Sequence, residues 1–391
     1  VGGGQGRTPM IAREVRDFLP EEDLIAYTDA ILRVYNLYGR RDNKYKARIK
    51  ILVHETGIDV LKQDIEAEFE RIRDGVLKLP QQEVDRIEAY FAMPDLAPRA
   101  ERSSLLEAAK ADDMGLKRFA EQNLHPHKVP GHVCLTISLK PIGGIPGDAS
   151  ADQMDVVADL AERYGHDEIR VSHEQNLVLP HVALDDVPAI YAVLKENGLG
   201  TPNAGLVTDI IACPGLDYCA LANARSIPVA QEISRRFADQ ARQEAIGTLK
   251  IKISGCINAC GHHHVGHIGI LGVEKKGGEL YQVTLGGSSD ENASLGEIVG
   301  RGFGPDEIAD AVDRIVDTYL GLRLGNEETF LAAYRRVGPV PFREATQAHG
   351  HRSAHPAGAQ QLGHGEAERH AAPPRPRFIV RARPAPAPCP R

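Results

Sequence analysis

Apolar and polar positions sort the chain into five stretches. In the first 57 residues a loop leads to a helix expected over Glu21–Tyr35, introduced by Phe18-Leu19-Pro20 with Pro20 in the first turn. A strand is expected over Lys44–Val53, because "NKYKARIKIL" alternates: Lys44, Lys46, Arg48 and Lys50 would share one face, and Tyr45, Ala47, Ile49 and Ile51 the other. Residues 58–125 mix charged and apolar residues at helical spacing, with a break over Pro94–Pro98. From "GHVCLTISL" at 131 the order becomes strand, helix over Ala151–Tyr164, strand "EIRVSHEQNLVLP", and helix over Val187–Asn197. That order suits a split βαβ, ferredoxin-like half. Residues 201–345 carry four cysteines. From Thr346 the chain has eight prolines, seven arginines and five histidines with almost no apolar periodicity, the composition of a disordered tail.

An internal repeat crosses this order. "VGGGQGRTPM…FLPEEDLIAYTDAILRVYNLYG" near the start parallels "TLGGSSDENASLGEIVGRGFGPDEIADAVDRIVDTYLGLR" from residue 284, with Phe18-Leu19-Pro20-Glu21 answering Phe303-Gly304-Pro305-Asp306. The ferredoxin-like half and the cysteine segment, roughly 150 residues, lead into the second copy, and no counterpart leads into the first, so the chain reads as opening inside a repeated module.

Composition narrows the class. With 391 residues and 42% apolar content the chain has material for two or three cored domains. No apolar run approaches the roughly eighteen residues of a membrane span, and "VGGGQGRTPM" lacks a charged and then apolar leader, so the expected compartment is the cytoplasm. A net charge of −8 argues against nucleic acid as a partner and requires a local basic patch for any anionic ligand. Six cysteines are too few for a disulfide framework.

Four of them cluster as Cys213 and Cys219 in "ACPGLDYCALA" and Cys256 and Cys260 in "GCINACG". Zinc pairs mostly enclose two to four residues, so the five between Cys213 and Cys219 suit an iron-sulfur cluster better. Structural zinc and unliganded buried thiols stay open as alternatives. Gly255 and Gly261 bracket the second pair, as expected where backbone passes close to a cofactor. His262, His263 and His264 read as outer donors and surface residues just past the cysteine loop, since four thiolates leave them no ligand role. "VGGGQGR" lacks the spacing and preceding strand of a dinucleotide loop and reads as a turn. Cys134 reads as core, Cys389 as incidental.

The C-x5-C and C-x3-C pairs, 36 residues apart, resemble the sirohaem-containing sulfite and nitrite reductases, and the resemblance extends over residues 1–345, including the duplication. It implies an α+β fold of duplicated sirohaem reductase modules with a ferredoxin-like half-domain and an incomplete first module. The implied divisions are a first-module remnant at 1–57, a helical connector at 58–125, the half-domain at 126–200, the sirohaem/[4Fe-4S]-binding domain at 201–345, and the tail at 346–391. The resemblance makes Cys213, Cys219, Cys256 and Cys260 the ligands of a [4Fe-4S] cluster, with Cys260 also ligating the sirohaem iron and Asn258 beside the macrocycle. The family's substrate-holding Lys-x-Lys, placed just before a strand, falls on Lys44 and Lys46, and Arg48 and Lys50 would face the cofactor or solvent. Two further anion-binding arginines belong to the absent part of the first module. Arg170, His173, Gln175 and Asn176 occupy the counterpart of that arginine strand, either as cofactor contacts or as polar strand residues.

The implied reaction is six-electron reduction of sulfite, with nitrite as the alternative, and electrons come from a separate ferredoxin or flavoprotein because no flavin or nicotinamide motif is visible. Cys213-Pro214 followed by "ALANARSIP" favours sulfite. A cluster-only electron carrier would explain the cysteines but not the duplication or the basic segment.

Overall fold

The computed structural model describes residues 1–275 and 277–347. An irregular first segment closes a small loop in which Gly4 and Met10 exchange two backbone hydrogen bonds of 2.9 Å. A 3-10 turn at Glu21–Asp23 then leads into α1 (Leu24–Tyr38), close to the expected helix. Next come α2 (Ile49–Thr56) and α3 (Ile58–Ile72). Ala26, Ala30 and Val34 of α1 and Leu61, Ile65 and Phe69 of α3 recur at helical spacing, and these stripes are buried together with Leu52 and Val53 of α2.

The expected strand over Lys44–Val53 is not formed. Lys44–Lys46 is a turn in which the Asn43 side chain accepts the Tyr45 N–H at 3.0 Å, and α2 begins at Ile49. Ile49, Leu52 and Val53 also fit a helical stripe, and packing against α1 and α3 selects that period over the strand alternation. The shared cationic face of Lys44, Lys46, Arg48 and Lys50 disappears with the strand.

Three more helices follow: α4 (Gln81–Tyr90), α5 (Ser104–Asp112) and α6 (Met114–Asn123), with no helix across Pro94–Pro98. The Ser103 and Asp113 side chains cap α5 and α6 by accepting backbone N–H groups two or three residues on.

The sheet that comes next has the order β1-β2-β4-β3, built from β1 (Leu124–Pro126), β2 (His132–Ile137), β3 (Arg170–Val171) and β4 (Leu177–Ala183), all antiparallel. Helices α7 (Ala151–Tyr164) and α8 (Val187–Glu196) pack on it through Val157, Leu160, Ile190 and Leu194. The stretch expected as one strand around residues 168–180 is a β3–β4 hairpin, because the chain reverses at Ser172–Gln175 with Gln175 at φ 60°.

A second sheet, β5-β6-β7-β8-β9, comprises β5 (Ile211–Ala212), β6 (Ile251–Ser254), β7 (Ile268–Lys275), β8 (Gly278–Leu285) and β9 (Glu297–Ile298). The first three strands are parallel and the last two pairings antiparallel. α9 (Ile227–Arg236) and α10 (Gln240–Ile246) lie between β5 and β6 in sequence, and α11 (Ile308–Leu322), α12 (Phe330–Val337) and α13 (Val340–Gln347) close the described chain. Ile251, Ile253, Ile268 and Ile270 meet Val312, Ile315 and Phe330 in this core.

The repeat has a structural counterpart. Gly2 and Gly286 have φ 82° and 84°, Gly4–Met10 and Ser288–Ser294 form equivalent antiparallel bridges, and each loop leads to a 15-residue helix, α1 or α11. Thr346 and Gln347, expected in the tail, belong to α13, and the rest of that tail, including Cys389, lies outside the described residues. No helix among the described residues is long and apolar enough to cross a membrane.

Candidate functional site

Parallel pairing brings the two cysteine pairs together. Ile211 and Ala212 of β5 stand opposite Lys252 and Ile253 of β6, so Cys213 and Gly255-Cys256 leave the same end of the sheet. Cys213 N–H donates to Ile253 O at 3.1 Å. The first loop turns through Gly215–Asp217, where Cys219 N–H donates to Gly215 O at 2.9 Å, and returns through Asn223 and Ala224, whose N–H groups both donate to Gly255 O at 2.8 and 3.0 Å. The two loops therefore interlock through backbone. A Cβ on Gly255 would stand 2.6 Å from Ala224 O and 2.9 Å from the Gly215 Cα, and one on Gly261 would stand 1.8 Å from Ile253 O. The bracketing glycines let backbone pass against backbone here, whereas the sequence suggested close approach to a cofactor. Ala259 adopts a left-handed φ of 59° between Cys256 and Cys260, the kind of backbone strain that tends to persist at functional sites.

The sulfurs differ in surroundings. Cys213 and Cys256 are buried, Cys219 is half-buried and Cys260 is exposed. The Cys213 Sγ accepts Gly255 N–H at 3.1 Å and lies 3.4 Å from Ser226 Oγ, donors suited to a thiolate ligand. Partial burial, and after it the charges of Cys213, Cys256 and Cys219, push the Cys260 thiol up, so all four sulfurs lie within electrostatic reach. Among the described residues no three His, Cys, Asp or Glu side chains converge tightly enough for a single ion. Four thiols on two facing loops, with five residues inside the first pair, fit a [4Fe-4S] cluster better than zinc. Asn258 is exposed on the second loop, and Leu216, Tyr218, Leu221 and Ile257 form an exposed apolar rim.

The expected cations sit on a turn and the start of α2 rather than on one strand face. Lys44, Lys46 and Arg48 are exposed, with the Lys44 ammonium over the Tyr45 ring and the Arg48 guanidinium donating to Ala47 O at 2.8 Å. Lys50 turns inward and donates to Gln5 O at 2.6 Å and Thr8 O at 2.8 Å, holding the glycine-rich first loop. On its other side that loop accepts His264 Nε2–H through Gly6 O at 2.9 Å. His264 O also accepts Gly296 N–H at 2.8 Å, so this residue bridges both copies of the repeat beside the cysteine loop.

Of the three adjacent histidines only His262 is exposed. His263 is 1% exposed with no partner for either ring nitrogen, and burial followed by the neighbouring His264 and His262 drives its pKa down to about 3. It is a core residue whose ring centre lies 3.9 Å from that of His264, the two planes tilted by 42°, which corrects the surface reading.

The hairpin turn supplies clamps. Gln175 pairs its amide with Ala212, accepting the N–H at 3.1 Å and donating to the C=O at 3.0 Å, directly before Cys213. Asn176 donates to Asp209 at 3.1 Å and accepts from Lys140, whose ammonium meets Asp209 at 2.6 Å in a buried pair. Arg170 is exposed and paired with Glu168, and His173 is exposed. Cys134 is half-buried and donates to Pro180 O at 3.2 Å. The sequence reading missed Ser226, Lys140, Asp209, Lys250 and Lys252. For the last two a signal existed: lysines alternating with Ile251 and Ile253 just upstream of Gly255-Cys256.

Comparison with known proteins agrees with this geometry. The family described as nitrite and sulphite reductase 4Fe-4S domain matches residues 1–72 and 204–350, and the nitrite/sulfite reductase ferredoxin-like half domain matches residues 126–197. "Sulfite reductase [ferredoxin] 2" of Mycolicibacterium paratuberculosis is 29% identical over 84% of this chain and 54% of its own length. The chloroplastic ferredoxin–nitrite reductase of Zea mays is 27% identical over 71% of this chain and 44% of its own. The solved NirA protein of Mycobacterium tuberculosis superposes with a TM-score of 0.64 at 25% identity, covering 88% of this chain and 57% of that one. The chain spans about half the length of the curated relatives it matches.

Proposed function

We propose, for a chain that belongs to the nitrite and sulphite reductase 4Fe-4S family, that it forms the cluster-bearing half of an assimilatory sulfite reductase. The reaction is six-electron reduction of sulfite to sulfide with oxygen leaving as water; nitrite to ammonia is the alternative, favoured by the plant relative's name. The observation that carries this reading is the interlock of two glycine-cleared loops presenting four thiols, with Cys260 open to solvent.

Cys213, Cys219, Cys256 and Cys260 would hold a [4Fe-4S] cluster, and Cys260, the exposed thiol of the four, would also be open to a sirohaem iron. When bound, the two groups supply stepwise single-electron transfer and an open coordination position for an oxyanion. The chain's own residues do the positioning: Gly255 N–H holds the Cys213 sulfur beside Ser226, Gln175 fixes the strand before it, and the rim of Leu216, Tyr218, Leu221 and Ile257 excludes water once covered. In this reading Asn258 and Arg48 would contact the macrocycle, and the exposed Lys44 and Lys46 would attract the anion and relay protons. Electrons come from a ferredoxin, as in the relatives' names, or from a flavoprotein. The setting is the cytoplasm, with no nucleic-acid or membrane partner.

The test is an anaerobic optical spectrum of the chain co-expressed with sirohaem synthesis, with iron and labile sulfide assayed on the same sample. Cluster iron and sulfide together with a Soret band support the whole reading. Cluster absorption without the macrocycle would confine this chain to the cluster, and colourless protein containing zinc would overturn the reading.

A further inference from the structure

Lys252 stands in the middle of β6, between Ile211 of β5 and Gly269 of β7, and is only 2% exposed. Strand alternation sends Ile251 and Ile253 into the helix-covered core, and Lys250, Lys252 and Ser254 to the other face. That face carries the second cysteine loop, since Ser254 Oγ accepts Gly261 N–H at 3.1 Å. The 3-10 turn His263–Val265 packs over β6 and β7 on the far side of the loop.

The charges around Lys252 do not balance. Lys250 spends its ammonium on Glu174, at 3.0 Å, and Lys252 makes no hydrogen bond or ion pair among the described residues. The titratable groups that act on it are Lys250, which repels its charge, and Glu174, which favours it. His262 and His267 are in turn held toward the neutral form by burial and by the Lys252 charge, and His173 adds to the effect on His262. Burial is the first cause that pushes the Lys252 amine down. A buried ammonium without a counter-charge is costly, and buried charges are ordinarily paired. The surroundings supply further cations and one carboxylate that another lysine already holds.

We propose that Lys252 seats an anionic oxygen of a bound ligand on the cysteine-loop face of β6, with Lys250 and His262 as flanking donors. The inference rests on the reductase reading, which supplies two anion sources with the same oxygen chemistry: the sulfite or nitrite oxyanion, and the carboxylates of the macrocycle. Either would give the Lys252 ammonium the charge-assisted hydrogen bond it lacks among the described residues, four residues ahead of Cys256.

The experiment uses the full chain with its cluster reconstituted anaerobically, and follows the melting midpoint at ionic strength held constant with sodium chloride. One arm adds sodium sulfite, the other metal-free uroporphyrin as a macrocyclic carboxylate. A tenfold excess over Kd multiplies the folded-to-unfolded ratio about 11-fold, so the native chain should melt higher with at least one probe. Lys252→Met should abolish that rise, Lys252→Arg should keep part of it, and Lys117→Met, exposed on α6, should keep all of it. Without any probe Lys252→Met should melt no lower than native, because it removes a buried charge. A rise with sulfite alone assigns the substrate oxyanion, and a rise with uroporphyrin alone assigns the carboxylate. An undiminished rise in Lys252→Met, or no rise in the native chain with either probe, overturns the proposal. Iron and labile sulfide on the same samples separate the two ideas: a full cluster beside a Lys252-independent rise leaves the reductase reading standing and removes the lysine seat.

Discussion

Gly255 shows how little space the candidate site has to spare. Its carbonyl accepts two N–H groups from the opposite cysteine loop, its N–H donates to the Cys213 sulfur, and its missing side chain is the gap that Ala224 O and Gly215 fill. A methyl group there must push the two loops apart, and overpacking of this kind costs about 1–3 kcal/mol. We expect Gly255→Ala to take up less iron and labile sulfide per chain on anaerobic reconstitution, while Gly325→Ala, with open space around its Cβ position, loads as the native chain does. Full loading of Gly255→Ala would mean that the loops have slack and that the interlock does not set the spacing of the sulfurs.

At the scale of elements, the first cysteine strand is steadied from outside its own sheet. β5 is a two-residue edge strand, and the Gln175 amide satisfies both polar backbone groups of Ala212 as a neighbouring strand would. Gln175→Leu leaves that N–H and C=O without partners at a cost of about 1–3 kcal/mol. We expect a lower urea midpoint together with faster amide exchange at Ala212, and unchanged exchange there would show that water replaces the clamp. Gln175 also marks the limit of what the sequence reveals. The cysteines were legible because thiol chemistry belongs to the residue type and the spacing restricts what it can hold. The repeat was legible because "FLPEE" and "FGPDE" precede similar helical patterns. The clamp was not, because Gln175 and Ala212 meet only once the hairpin turn and β5 are both in place. Residues 44–53 misled for a different reason: Ile49 and Ile51 satisfy a strand alternation while Ile49, Leu52 and Val53 satisfy a helical one. Packing against α1 and α3 decided between two periods that the local pattern allowed, and the cationic face expected of Lys44–Lys50 went with the strand.

For the molecule as a whole, buried histidines set the response to acid. His181, His263, His264 and His267 are all held below the ordinary histidine range, with burial the first cause in each. The strongest are His263, down to about 3, and His267, down to about 4. Below pH ~6.5 the unfolded chain takes up protons on these rings that the folded chain refuses, so stability falls as pH falls, by about 1.4 kcal/mol per pH unit each for the deeply buried His263 and His267. The loss continues until the pH reaches the folded value, near 3 for His263 and near 4 for His267. His263→Phe keeps an aromatic ring in the same core position against His264 and removes one of these proton sinks. Its urea midpoint should track the native one at pH 7.5 and recover roughly 2 kcal/mol relative to native by pH 5, measured on iron-free protein so that acid loss of a cluster does not intrude. Parallel pH profiles for the two proteins would show that the His263 ring reaches a proton in the folded state, and that its burial against β6 and β7 opens on the timescale of the measurement.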